Sequence, residues 1–124
     1  MDSKCEYEIL NEATAVEYAR NHPSLKELFA KDEPLTCKEI GDGNLNLIFS
    51  VWASRDPSRA ILIKQAPPYV RRYRDYKLTP KRMLFEALYY EVCSNLCPEF
   101  IPHFYAYDEQ LALVIMENLN QHIV

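Results

Sequence analysis

Apolar and polar side chains alternate most regularly over residues 45–53, where Leu45, Leu47, Phe49, Val51 and Ala53 interleave with Asn46, Ile48, Ser50 and Trp52. A period of two predicts a strand that buries one face. The run at 35–40 precedes it across a short glycine-containing turn, so the two read as a hairpin. A polar turn at 54–59, holding Asp56 and Pro57, leads to a third strand at 60–65, Ala-Ile-Leu-Ile-Lys-Gln, in which a charge closes an otherwise buried run. Two further strands are predicted at 104–107 and 111–116, joined by Asp108, Glu109 and Gln110. Helical spacing takes over elsewhere. Ala15, Val16, Tyr18 and Ala19 give residues 12–30 an apolar stripe, and Pro23 suits the first turn of a second short helix carrying Leu25, Leu28 and Phe29. Thr79 as N-cap and Pro80 at the first helical position start a helix that runs to about residue 96, with Met83, Ala87, Tyr90 and Ser94 on one face and Pro98 ending it. Residues 66–77, with two prolines and four basic side chains, show no period and read as a loop. The fold class is therefore α+β, an antiparallel sheet of about five strands with one packed helix and N-terminal helices.

Composition narrows this to one domain. The chain has 124 residues, 48% of them hydrophobic, which is enough for one core and too little for two. Residues 1–34 form a helical N-terminal extension, and 35–124 hold the sheet and its helix. No apolar run approaches the roughly 18 residues of a membrane span, and Asp2, Lys4, Glu6 and Glu8 occupy the place of a signal sequence. The expectation is a cytoplasmic protein with no membrane partner. With 14 basic against 18 acidic residues the net charge is -4, which disfavours nucleic acid as a partner. The stretch Arg71, Arg72, Tyr73, Arg74, Asp75, Tyr76, Lys77 could stack single-stranded nucleic acid, but reads better as a solvated loop. Cys5, Cys37, Cys93 and Cys97 form no Cys-x-x-Cys pair and read as reduced thiols. His22, His103 and His122 lie in no metal or catalytic motif, so no metal ligand and no catalytic residue is assigned.

Glycine use points to the chemistry. The only two glycines are Gly41 and Gly43, flanking Asp42 and followed by Asn44 and Asn46, in a connection between strands. Walker and Rossmann loops open a helix, whereas a glycine hairpin lying over phosphates is the protein-kinase arrangement. A plain hairpin turn would use the same residues. In the kinase arrangement a lysine at the end of the third strand meets the phosphates and a helix glutamate holds it; Lys64 is such a lysine, eighteen residues after Asn46. A lysine snorkelling from a strand end is the alternative. Glu86 and Glu91 are five residues apart, about 140° around a helix, so only one can face Lys64. Glu86, one turn from Met83 and Tyr90, is the choice over a surface charge. The last strand ends in Met116, Glu117, Asn118 and Leu119, where a hinge backbone would meet adenine, with Ile48, Leu62 and Met116 lining the slot.

These strings resemble a known family. Glu39-Ile40-Gly41-Asp42-Gly43-Asn44-Leu45-Asn46-Leu47-Ile48-Phe49, Leu62-Ile63-Lys64-Gln65-Ala66 with Pro68-Tyr69, Leu78-Thr79 with Arg82 and Glu86, and Met116-Glu117-Asn118-Leu119 are similar to the N-terminal lobe of S-methyl-5-thioribose kinases, in the aminoglycoside and choline kinase branch of the protein-kinase-like fold. The resemblance implies ATP and Mg2+ as cofactors and phosphorylation of methylthioribose at its 1-hydroxyl, in methionine salvage. It implies that Asn44 and Asn46 cover the phosphates, Lys64 binds them, Glu86 orients Lys64, and Glu117 to Leu119 hold adenine. Residues 70–77 and Asn118 depart from the family's pattern. The family continues into a second lobe with a His-Gly-Asp loop and the metal ligands, and that string does not occur in these 124 residues. The expectation is a truncated or fragmentary N-lobe that is inactive alone, acts on methylthioribose only with a second lobe, and exposes Met116, Leu62 and Ile48 as an apolar patch through which it self-associates. The alternative is a non-catalytic interaction module that keeps the lobe fold.

Overall fold

A computed structural model describes residues 9–40, 46–67, 69–70, 73–77, 82–97, 99 and 102–118. Gly41, Asp42, Gly43 and Asn44, the helix start at Thr79 and Pro80, and Leu119 lie outside the described residues.

Helix α1 spans Glu12–Asn21 and starts where its sequence provides a reciprocal cap. Asn11 Oδ1 accepts the Thr14 N–H at 2.9 Å, and Thr14 Oγ1 accepts the Asn11 N–H at 2.7 Å. It stops at His22, which precedes Pro23 and adopts extended backbone, ψ 128°. The second N-terminal helix is shorter than its apolar spacing predicts: only a 3-10 turn, Pro23–Leu25, forms.

Strands β1 (Leu35–Glu39), β2 (Leu47–Ala53), β3 (Asp56–Gln65), β6 (Phe104–Asp108) and β7 (Leu113–Glu117) form one antiparallel sheet in the order β1-β2-β3-β7-β6. Three boundaries differ from the sequence reading. β3 begins at Asp56 because the turn after β2 is confined to Ser54 and Arg55. β7 begins at Leu113, since the chain turns through residues 109–112 with Ala112 at φ 53°, a left-handed position that glycine would ordinarily fill. Residues 66–77 are no mere loop, because β4 (Tyr69–Val70) and β5 (Tyr73–Lys77) pair as a separate small hairpin. Helix α2 (Arg82–Leu96) follows them.

The register divides the side chains of the sheet into two faces. Phe49, Val51, Ile61, Ile63, Leu113 and Ile115 project to one face, fully buried, and Ala15, Ala19, Leu25 and Phe29 of the N-terminal segment cover them. Fully burying such side chains stabilises by about 1.5–3 kcal/mol each. Cys37, half-buried on β1, is a free thiol that burial first, then the Glu12 and Glu39 carboxylates, push up to about 12. It stays protonated and unreactive at neutral pH. Tyr18 Oη donates to Asp108 Oδ2 at 2.7 Å, tying α1 to β6, and burial followed by that carboxylate raises the pKa of the phenol and keeps it protonated.

A charged cluster fixes the segment between α1 and the sheet. Arg59 donates to Glu33 through Nη1 at 2.8 Å and through Nη2, to the Leu28 carbonyl at 2.8 Å, and to Asp56 Oδ2 at 3.2 Å. Glu33 also accepts the Ala30 N–H at 3.1 Å. The Arg59 hydrogen bonds first, then that of Ala30, hold the Glu33 carboxyl down at about 2 against an ordinary 4.5. A folded value below the unfolded one means that this contribution to stability is complete above about pH 4.5 and is lost as the pH falls toward 2. Glu33→Gln, which cannot titrate, is expected to flatten that acid limb in thermal melts recorded across the window. A limb of the same slope in variant and wild type would contradict the assignment.

Candidate functional site

The opposite face of the sheet carries the charges. Ile48 stands opposite Lys64 and Ser50 opposite Leu62 across β2 and β3, while Lys64 faces Val114 and Leu62 faces Met116 across β3 and β7. Alternation therefore puts Ile48, Ser50, Leu62, Lys64, Val114 and Met116 on one face. Helix α2 packs here, setting Met83 and Ala87 against Ala66, Val114 and Met116, with Tyr90 stacked on Phe104 at 5.9 Å. Once Met83 and Ala87 face the sheet, Glu86 is turned toward β3. Its Oε2 lies 2.6 Å from Lys64 Nζ. The side chains of Lys64 and Glu86 remain 23% and 24% exposed, so the ammonium is anchored on one side and open on another.

Of the predicted site residues, Ile48, Leu62, Lys64, Glu86 and Met116 come together on this face. The expected exposed patch does not: Met116 is buried under α2, at 3% exposure, and Ile48 and Leu62 are half-buried. Packing by α2 covers what the sequence reading left open. Asn46 is half-buried one residue before β2. At the strand exit the Glu117 N–H donates to the His103 carbonyl at 2.8 Å, and the Asn118 N–H donates to the Ala60 carbonyl at 3.1 Å. Both of these donors are thus committed within the fold. Asn118 is buried, and its Nδ2 donates to Ser50 Oγ at 2.9 Å. Ser50 and Asn118 form a polar clasp between β2 and the end of β7 that sequence reasoning missed; the one available signal was a small polar residue on the cleft-side phase of β2. Gly41, Asp42, Gly43, Asn44 and Leu119 lie outside the described residues.

What this arrangement can do is hold an anion. A lysine fixed by a carboxylate presents its remaining N–H groups in a defined direction, and half-buried Ile48 and Leu62 beside it offer apolar surface to a planar ring. A nucleotide has both features. Magnesium fares differently: among the described residues no group of three or more His, Cys, Asp or Glu side chains could hold a metal ion. Two surface clefts, of about 590 and 470 Å3, lie by the N-terminal segment and include neither Lys64 nor Glu86. No helix among the described residues is long and apolar enough to cross a membrane.

Comparison with known proteins agrees with the strings quoted above. No family model matches the chain. It is similar to the methylthioribose kinase of Bacillus cereus strain AH187, 38% identical over 116 residues, which is 93% of this chain and 28% of that protein. It is also similar to the methylthioribose kinases of Bacillus thuringiensis strain Al Hakam and Bacillus anthracis strain A0248, each 37% identical over 116 residues, again 28% of the relative. The resemblance read from the sequence is borne out along nearly the whole chain, and the chain spans less than a third of the length of these curated relatives.

Proposed function

We propose that this chain is the nucleotide-binding lobe of a methylthioribose kinase, and that with a second lobe it serves ATP-dependent phosphorylation of methylthioribose at the 1-hydroxyl, in methionine salvage in the cytoplasm. The observation that carries this reading is the Lys64–Glu86 pair at 2.6 Å, on the sheet face that also holds Ile48, Leu62 and Met116. In phosphoryl transfer the protein acts mainly by positioning and by stabilising charge. Lys64 binds phosphate oxygens and Glu86 keeps it from folding back into solvent. Ile48 and Leu62 flank the adenine, with Met116 behind them. Because the N–H groups of Glu117 and Asn118 are engaged, we assign the donor to the adenine edge to Leu119. Gly41, Asp42, Gly43, Asn44 and Asn46 cover the phosphates. ATP supplies the phosphoryl group; we assign no residue of this chain to Mg2+.

Calorimetric titration with ATP tests the reading. Binding is expected, and it is expected to be weak, because these 124 residues contain no His-Gly-Asp string and among the described residues no metal-holding cluster to neutralise the phosphates. No heat of binding at millimolar ATP would remove the reading and leave the non-catalytic module. Incubated alone with ATP, Mg2+ and methylthioribose, the chain should transfer no phosphate. Turnover that depends on magnesium and disappears in Lys64→Ala would contradict this second expectation.

A further inference from the structure

Ser50 and Asn118, buried at 4% and 2% exposure, are bonded to each other on the sheet face that carries Lys64. The register arranges this face in rows that run across the strands. Ile48, Lys64 and Val114 form the first row, and Ser50, Leu62 and Met116 form the second. In the third, Trp52 pairs with Ala60, and the Asn118 N–H donates to the Ala60 carbonyl at 3.1 Å. Each step between rows is two residues of strand, so the row of Asn118 lies about 14 Å from that of Lys64. The Asn118 side chain crosses from the third row to the second, where its Nδ2 donates to Ser50 Oγ at 2.9 Å. Asn118 is thus held twice, by its backbone to β3 and by its side chain to β2, one residue after β7 ends at Glu117. A buried amide is costly to separate from its partner, so this bond constrains the chain in a way that a surface contact would not.

We propose that Ser50 and Asn118 are positioning residues for the base: their bond fixes the direction in which the backbone leaves β7, and so the angle at which that backbone meets the adenine edge. This deepens the nucleotide reading and rests on it. The bond stands beside Leu62 and Met116, which that reading assigns to the base, and away from Lys64, which it assigns to the phosphates. Holding Asn118 at both its N–H and its side chain restricts the torsions on either side of its Cα. The peptide group that follows, shared with Leu119, is the one assigned to the adenine edge. A hydrogen bond weakens steeply once its angle falls below about 120°, so a modest rotation of that peptide is felt as lost affinity for the base. Neither side chain needs to touch the nucleotide. A hydroxyl buried on β2 between Ile48 and Trp52 adds no hydrophobic stabilisation, so the contribution of Ser50 is the bond that it accepts.

Calorimetric titration of the chain with two probes, ATP and ribose 5-triphosphate, tests it, because the second carries the phosphates without the base. The wild type is expected to bind ATP more tightly than ribose 5-triphosphate. Ser50→Ala and Asn118→Ala are each expected to weaken ATP at least about fivefold and to leave ribose 5-triphosphate within about twofold of wild type. Lys64→Ala should weaken both probes. Retained binding of ribose 5-triphosphate, with far-UV circular dichroism unchanged, shows that a variant is folded around Lys64. Wild-type affinity for ATP in both Ser50→Ala and Asn118→Ala would overturn the proposal and leave the nucleotide reading in place. So would an equal loss of both probes, which is what a merely structural role produces. A wild type that binds ATP no more tightly than ribose 5-triphosphate would remove the base site, and both readings with it.

Discussion

Lys64→Ala is expected to weaken ATP binding by the chain at least tenfold while changing its unfolding free energy by less than about 1 kcal/mol. The two effects separate because the ion pair is only partly buried. Lys64 and Glu86 keep about a quarter of their side-chain surface in water, so removing the ammonium leaves a Glu86 carboxylate that still reaches solvent and costs the fold little. Binding loses more. A hydrogen bond from an ammonium to a phosphate oxygen is charge-assisted, worth about 1.5–3 kcal/mol, and an alanine leaves nothing in its place. Glu86→Gln should fall between wild type and Lys64→Ala, because the amide can still accept a hydrogen bond but no longer fixes the ammonium by charge. Calorimetry for affinity and urea unfolding for stability read the two quantities independently. Equal affinity in wild type and Lys64→Ala would remove Lys64 from the site.

Gln65, one residue further on, should show the reverse: a large loss of stability with no direct role in binding. It projects to the face opposite Lys64 and is fully buried. Its Oε1 accepts the Leu10 N–H at 2.9 Å, and its Nε2 donates to the Leu111 carbonyl at 2.9 Å. One amide thus joins the segment before α1 to the turn between β6 and β7. Gln65→Ala leaves those backbone groups without their side-chain partner in a buried place and opens a cavity, and the expected destabilisation is about 2–4 kcal/mol. Gln65→Leu fills most of the volume and still loses both hydrogen bonds, so it should recover only part of the deficit. Urea midpoints within error of wild type for both variants would show that the amide is not the tie described here.

The parts of this arrangement that sequence alone disclosed are those governed by short periods. Strict alternation through Leu47, Phe49 and Val51 identifies β2 and its buried face, and the shared parity of Leu62 and Lys64 is enough to put the lysine on the other face. The spacing of Met83, Ala87 and Tyr90 likewise turns Glu86 toward the sheet. What depends on partners far along the chain was hidden. Arg59 meets Glu33 across 26 residues, and Asn118 meets Ser50 across 68, with no periodic signal at either end. The β4–β5 hairpin escaped because Tyr69, Val70 and Tyr73–Lys77 carry no apolar alternation, and pairing between backbones leaves little trace in composition. The short 3-10 turn after Pro23 escaped for a different reason: Leu25 and Phe29 are buried against the sheet and would suit either conformation.

A nucleotide bound on the sheet face where Lys64 and Glu86 meet would perturb the backbone amides around it. Backbone amide chemical shifts of isotopically labelled chain, followed during titration with ATP, test it most directly. Saturable changes are expected at Ile48, Leu62, Lys64, Met116 and Leu119 and across Gly41 to Asn46, all reduced in Lys64→Ala. No change up to millimolar ATP, or changes confined to the cleft around Lys26, Arg55 and Arg59 beside the N-terminal segment, would contradict it.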